Sequence, residues 1–164
     1  MKKLILLMSL ALITASGFSQ DKMRAAGIRG GLSSGFEYRV FANEYVSYKA
    51  LLSTRNRGIQ LTGMKEFHVP DIITFSEQVT FVYGFGVHAG FESWYVYRDQ
   101  PYYPYHTTNS GPIIGLDGLA ALEYQFWDVP LNMGIEVKPY FDIFGRNFFR
   151  IQPFDFAFTI KYLF

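Results

Sequence analysis

The chain contains no cysteine, which excludes disulfides, thiolate metal sites, cysteine nucleophiles and the lipidated cysteine of a bacterial lipoprotein. It also lacks a dominant charge: its 15 basic and 14 acidic residues become 13 and 14 once Lys2 and Lys3 are set aside, about minus one. That balance implies neither nucleic-acid binding nor an acidic-lipid footprint. No apolar run approaches the roughly 20 residues that a spanning helix needs. The longest, Leu4 to Ala15, follows Met1-Lys2-Lys3 and precedes the small residues Ala15, Ser16, Gly17 and Ser19, which is the pattern of an export signal cleaved before Gln20. If the mature chain crosses a membrane, it must therefore do so as a closed barrel.

Aromatic residues are abundant. They make up 19% of the 164 residues, as 17 Phe, 12 Tyr and 2 Trp, more than a soluble domain of this size has room to bury. A lipid-facing surface with aromatic girdles has that room. Their spacing carries the argument further. Over the last stretch Phe154, Phe156, Phe158, Ile160, Tyr162 and Phe164 fall on one side of an extended strand, and Asp155, Ala157, Thr159, Lys161 and Leu163 on the other. Alternation of this length, with one face of large apolar groups, suits a strand whose one side touches lipid.

The same period recurs along the chain. It predicts strands over 25–32, 36–41, 45–53, 58–68, 79–96, 113–126, 131–144 and the final segment. Ser33-Ser34-Gly35 is expected as a three-residue turn with Gly35 left-handed, although an uninterrupted strand from 25 to 41 has the same parity. Residues 98–111, with Pro101-Tyr-Tyr-Pro-Tyr-His106, are expected as an irregular loop. Pro139 falls in mid-strand on the apolar face, which requires a bulge or a broken ladder bond there. Lys65 interrupts an otherwise apolar face near a strand end, where a long side chain can snorkel to headgroups. The expectation is an all-β, eight-stranded antiparallel transmembrane β-barrel over 20–164, preceded by a cleaved signal peptide over 1–19. An even strand count places both ends of the barrel chain on one side, expected to be the periplasmic one.

The signal ending in Phe18-Ser-Gln20, the Gly27-Ile-Arg-Gly-Gly-Leu-Ser-Ser-Gly35 stretch, Gly58-Ile-Gln-Leu-Thr-Gly63 and the terminal Phe strand resemble small outer-membrane β-barrel proteins of Bacteroidota, with the architecture of OmpA- and OmpX-like barrels. The resemblance spans nearly all of the mature chain. It implies location in the bacterial outer membrane, contact with its lipid and lipopolysaccharide, and recognition of Tyr162 and Phe164 in the terminal strand by the barrel-assembly machinery. It supplies no catalytic residue.

The polar faces hold the candidate functional residues. Arg29, Arg39, Lys49, Lys138 and Lys161 face Glu37, Glu66, Glu92, Asp117, Glu123, Glu136, Asp142 and Asp155, with His88 among them. Unpaired charges in a narrow lumen would cost several kcal/mol each, so opposite signs are expected to pair into a structural plug. A proton or small-cation path through the acidic groups is the alternative use of the same residues. His68 and His88 each have a carboxylate on their own face, Glu66 and Glu92, which suits a general base or half a metal site but equally a satisfied lumen histidine. A lipid-modifying enzyme would draw on His106 with Thr107, Thr108 or Ser110. Tyr102, Tyr103, Tyr105 and His106 form a candidate surface loop, rich in contact area at low entropic cost. A soluble barrel with inverted faces, apolar inside around a ligand, is the rival fold. The reading is of a non-enzymatic, monomeric protein with no cofactor.

Overall fold

A computed structural model describes residues 24–55, 57–70, 76, 78–98, 105–145 and 149–164, the side chains at 97, 98 and 105–107 excepted. The signal at 1–19, Tyr102 and Tyr103 lie outside the described residues, as do the side chains of Tyr105 and His106.

The ten strands are β1 (Arg24–Gly31), β2 (Ser34–Asn43), β3 (Val46–Arg55), β4 (Gly58–Val69), β5 (Val79–Arg98), β6 (Tyr105–Gln125), β7 (Leu131–Val137), β8 (Tyr140–Phe144), β9 (Arg150–Gln152) and β10 (Phe156–Leu163). They form eight staves, because β7 continues into β8 and β9 into β10. Each stave pairs antiparallel with the next, and β1 pairs with β10 to close the barrel. The backbones of Arg24 and Phe164 exchange both hydrogen bonds, at 3.1 and 2.9 Å. The end where they meet is called the terminal end below, and the opposite one the far end.

Closure at eight staves demands tight curvature, and inward glycines supply it. A Cβ on Gly86 would lie 2.3 Å from the Gly63 carbonyl oxygen, and one on Gly115 would lie 2.2 Å from that of Phe141 and 2.5 Å from the His88 ring. Neighbouring backbones approach so closely there that no side chain fits.

The faces are sorted opposite to a water-soluble protein. Among the described residues 33 large apolar side chains are exposed and 10 apolar ones buried, while 23 polar or charged ones are buried. Phe158 is 69% exposed and its neighbour Thr159 2%. The polar set therefore faces inward, and the inverted arrangement of the rival fold is not the one this chain adopts. Met64, Val82, Leu119 and Ala121 form a small apolar cluster on the inner wall of β4, β5 and β6.

The first hairpin is a hairpin and not one continuous strand, since β1 and β2 pair antiparallel. Its turn differs from the expected one. No glycine among the described residues has positive φ, so Gly35 is not left-handed. It belongs to β2 and faces Ser53, while Ser33 is drawn inward to Asp155, which its N–H and hydroxyl bind at 3.1 and 2.6 Å. The left-handed turn residues among the described residues are Arg57 (φ 59°), in the two-residue link between the paired residues Arg55 and Gly58, and Phe149 (φ 60°), just before β9.

Residues 98–111 are also corrected. The segment from Tyr105 to Gly111, His106 included, belongs to strand β6 and pairs with Glu92–Arg98. The β-branched and aromatic residues there, Thr107 and Thr108 opposite Val96 and Tyr95, favour a ladder over a loop. Tyr105 and His106 thus sit on the ribbon formed by β5 and β6, not on an irregular loop.

Pro139 shows both expected devices. The register against β6 runs unbroken from β7 into β8, and the Gly118 N–H donates to the Pro139 carbonyl at 2.8 Å. The return bond is missing because proline has no N–H. On its other side the register changes by one residue between the β7–β10 and β8–β9 ladders. Pro153 lies at that step, so the two prolines interrupt the sheet together.

Candidate functional site

Strand alternation aims every second side chain into the lumen, and closure brings those from all eight staves within ion-pairing distance. All fourteen residues expected in the lumen, Arg29, Glu37, Arg39, Lys49, Glu66, His88, Glu92, Asp117, Glu123, Glu136, Lys138, Asp142, Asp155 and Lys161, are buried there.

Near the terminal end Arg39 is the hub. Its Nη1 and Nη2 donate to Glu123 Oε2 and Oε1 at 2.8 and 2.7 Å, a bidentate pair, and its Nε lies 2.6 Å from Glu66 Oε2. Lys161 donates to the same Glu123 Oε1 at 2.7 Å. Ser47 sits between Glu66 (2.9 Å) and His68 Nε2 (2.8 Å). The hydroxyl has one proton to give, and with a carboxylate as acceptor it receives from His68 instead of donating to it. That polarity is the reverse of an activated nucleophile, which hands its proton to the imidazole.

The network continues inward through Lys49, which lies 3.0 Å from Glu66 and 3.1 Å from Glu136. Glu136 accepts from Arg29 Nε, and Arg29 also reaches Ser33 and the Asp155 carboxylate, the latter at 3.3 Å. Lys138 donates to Asp117 at 2.7 Å and lies 3.8 Å from Asp155. His88 spans the next step, with Nδ1 2.7 Å from Asp117 and Nε2 3.0 Å from Asp142. A neutral imidazole carries one N–H, so only the doubly protonated ring donates to both carboxylates. Toward the far end Arg55 and Arg150 both bind Asp142, at 2.8 and 2.9 Å, and Arg150 grips Glu92 with two bonds of 3.0 and 2.7 Å. The Arg55 guanidinium lies 3.5 Å above the Tyr140 ring.

The result is a continuous chain of opposite charges along the barrel axis. Seven lysines and arginines face eight carboxylates, and an imidazolium at His88 makes the numbers equal. Glu37 is the weakest member. It lies 3.5 Å from Lys49 and 3.4 Å from Lys161, yet neither carboxylate oxygen receives a hydrogen bond.

Arg55, Arg150, Ser33 and Ser47 belong to this network although the sequence reading did not include them. Arg55 continues the inward parity of Ser47, Lys49, Leu51 and Ser53, so extending β3 by two residues would have found it. Arg150 precedes the register step at Pro153, which breaks the parity that points to Asp155. Two cavities flank the network and share no lining residue. One of about 610 Å³ at the terminal end is bordered by Arg39, His68, Glu123, Asn132 and Lys161, and one of about 230 Å³ at the far end by Ser33, Arg55, Tyr140 and Arg150.

Tyr162 and Phe164 stack at 6.3 Å at the terminal end, where Phe164 also lies 6.5 Å from Tyr38. Tyr124 and Phe126 meet edge-on at 4.9 Å.

No family model matches the chain, and no curated protein matches it by sequence. Among solved structures it is similar to the N-terminal β-barrel domain of Pseudomonas aeruginosa OprF, at 9% identity and a TM-score of 0.49, covering 86% of this chain and 95% of that one.

Proposed function

We propose that the chain is an integral outer-membrane β-barrel of the kind found in Bacteroidota, exported by residues 1–19, with a structural or surface-interaction role and without catalytic activity or an open pore. The observation that carries this reading is the sorting of its faces, with 33 large apolar side chains outside and 23 polar ones within. Leaving one such side chain in water forgoes about 1.5–3 kcal/mol of burial. A surface of this composition matches a solvent of hydrocarbon, and a closed antiparallel ladder pairs each stave's backbone with both neighbours without water, the break at Pro139 apart.

The tyrosines support the same placement. Tyr38, Tyr45, Tyr48, Tyr83 and Tyr124 stand exposed on the outer wall of the terminal half, where an amphipathic ring suits a headgroup region. The ion-paired lumen favours a plug over a conduit, because every lumen charge lies within 4 Å of an opposite charge and the ion-pair chain stands between the cavities at the two ends. The engagement of Ser47 by Glu66 speaks against a hydrolytic role for the Ser47–His68 pair. Closure leaves the staves no free edge along the wall, which is consistent with a monomer. Outer-membrane lipid, lipopolysaccharide and the barrel-assembly machinery are the partners this reading implies.

Cell fractionation followed by electrophoresis of unboiled and boiled samples tests it. A band in the outer-membrane fraction whose migration changes on boiling is expected. A soluble periplasmic band with one migration overturns the reading.

A further inference from the structure

The outer wall carries an exception to its apolar character that the lumen network does not explain. Lys65 points outward from β4, whose inward residues Met64, Glu66 and His68 are buried on either side of it. It forms no ion pair among the described residues, whereas the seven lumen lysines and arginines all do. Its recorded partner is a ring: the ammonium lies 5.3 Å from the Phe67 centroid, so the side chain bends toward the terminal end. The neighbouring staves complete the surroundings. Tyr48 is directly opposite Lys65 on β3 and Phe85 directly opposite on β5. Tyr83 stacks on Phe67 at 5.2 Å, and Phe85 packs against Phe67 at 6.2 Å. Tyr48 and Tyr83 are exposed, and their hydroxyls have no protein partner among the described residues.

An ammonium with no carboxylate among the described residues, two phenol donors and an apolar bed of Phe67 and Phe85 are what a phosphate ester bearing a hydrocarbon tail requires. We propose that Lys65, Tyr48 and Tyr83 form a lipid-facing site for the phosphate of a glycerophospholipid in the leaflet at the terminal end, with one acyl chain lying along Phe67 and Phe85. The proposal rests on the membrane reading above. Within it, a bare ammonium on hydrocarbon is unfavourable, and both snorkelling toward headgroups and pairing with a phosphate relieve that cost. The bend over Phe67 supplies the first and the site the second. The phosphate is the committed anion because the described residues of the outer wall offer Lys65 no carboxylate and the phospholipid headgroup is the anion abundant at that depth.

The experiment uses the mature barrel in vesicles of phosphatidylethanolamine and phosphatidylglycerol, recovered by flotation, checked for heat-modifiable migration and examined by native mass spectrometry for retained lipid. Loss of one charge-assisted hydrogen bond predicts about a tenfold fall in retained phosphatidylglycerol for Lys65→Gln. Lys65→Arg is expected to retain it within about twofold, since the charge and donors persist. Arg57→Gln, at the far-end turn, is expected to match wild type. The Tyr48→Phe, Tyr83→Phe double variant keeps the apolar wall and Lys65, so it tests the site even if Lys65→Gln does not insert; about a tenfold fall or more is expected for loss of two hydrogen bonds to the anionic phosphate. Unchanged retention in Lys65→Gln, or in the tyrosine variant where Lys65→Gln fails to insert, overturns the site while leaving the membrane reading intact. Absence of a floating, heat-modifiable wild-type barrel overturns the membrane reading and the site with it.

Discussion

Two lumen glutamates of identical chemistry should respond very differently to the same substitution. Glu123 accepts three charge-assisted hydrogen bonds, two from Arg39 and one from Lys161, all between 2.7 and 2.8 Å. Replacement by Gln keeps the shape, removes the charge and turns an amide N–H₂ toward a guanidinium or an ammonium. Arg39 is left with Glu66, and Lys161 with Thr159 at 3.0 Å and the distant Glu37. Breaking a buried pair from one side costs about 3–5 kcal/mol. Glu37 accepts no hydrogen bond, and both of its ammonium neighbours have closer carboxylates: Lys49 has Glu66 and Glu136, and Lys161 has Glu123. Its Coulombic attraction, about 4–5 kcal/mol gross per ammonium at this separation in a medium of effective dielectric 20, is offset by the several kcal/mol that burying a carboxylate costs. Glu37→Gln should therefore cost no more than about 1 kcal/mol, leaving a gap of about 2–4 kcal/mol or more between the variants. Urea unfolding in lipid vesicles, followed by the loss of the fast-migrating band, reads this as midpoints about 1 M apart or more. Equal midpoints, or a lower midpoint for Glu37→Gln, would refute the claim that hydrogen-bonded pairing, and not charge count, holds the lumen together.

Three further outcomes are expected. Gly86→Ala places a methyl group 2.3 Å from the Gly63 carbonyl and should destabilise the barrel by about 2 kcal/mol or more, whereas Gly63→Ala, whose Cβ meets nothing within 4 Å, should be neutral or stabilising by about 0.5–1 kcal/mol; the same urea titration compares them. Deletion of Phe164 removes its 2.9 Å N–H bond to Arg24 and its ring contacts with Tyr38 and Tyr162, and should lower the outer-membrane yield in fractionated cells; an unchanged yield contradicts its part in assembly. Purified wild-type protein in a planar bilayer should give no steady single-channel steps, and stable conductance would contradict the plugged lumen.

Period-2 alternation made the inward and outward faces legible, because each strand is polar on one side alone and a one-residue error would reverse every side chain. Three features escaped that reading for separate physical reasons. The Tyr105–Gly111 side of the ribbon has no apolar face to announce it, Thr107, Thr108, Asn109 and Ser110 being polar on both sides, and it is held by its ladder to β5 and by pairs such as Ser93 with Ser110 at 2.8 Å. Arg150 lies beyond a register step that only the meeting of Pro139 and Pro153 explains, and that meeting is a fact of three dimensions. Gly35 has the composition of a turn, yet its role is steric: a Cβ there would lie 2.1 Å from the Leu52 carbonyl. Which carboxylate serves which cation was legible only as a requirement of pairing. The partners come from staves up to 126 residues apart, as Arg29 and Asp155 do.

The central claim is that the apolar wall touches lipid. Because the chain has no native cysteine, single cysteines can be placed and nitroxide-labelled one at a time at the outward positions Leu52, Leu61, Val87, Leu122 and Phe158. Paramagnetic relaxation by oxygen, which concentrates in hydrocarbon, is then compared with that by a water-soluble nickel chelate for the protein in vesicles. The account predicts high oxygen and low nickel accessibility at all five positions. High nickel accessibility across them would place that wall in water and contradict it.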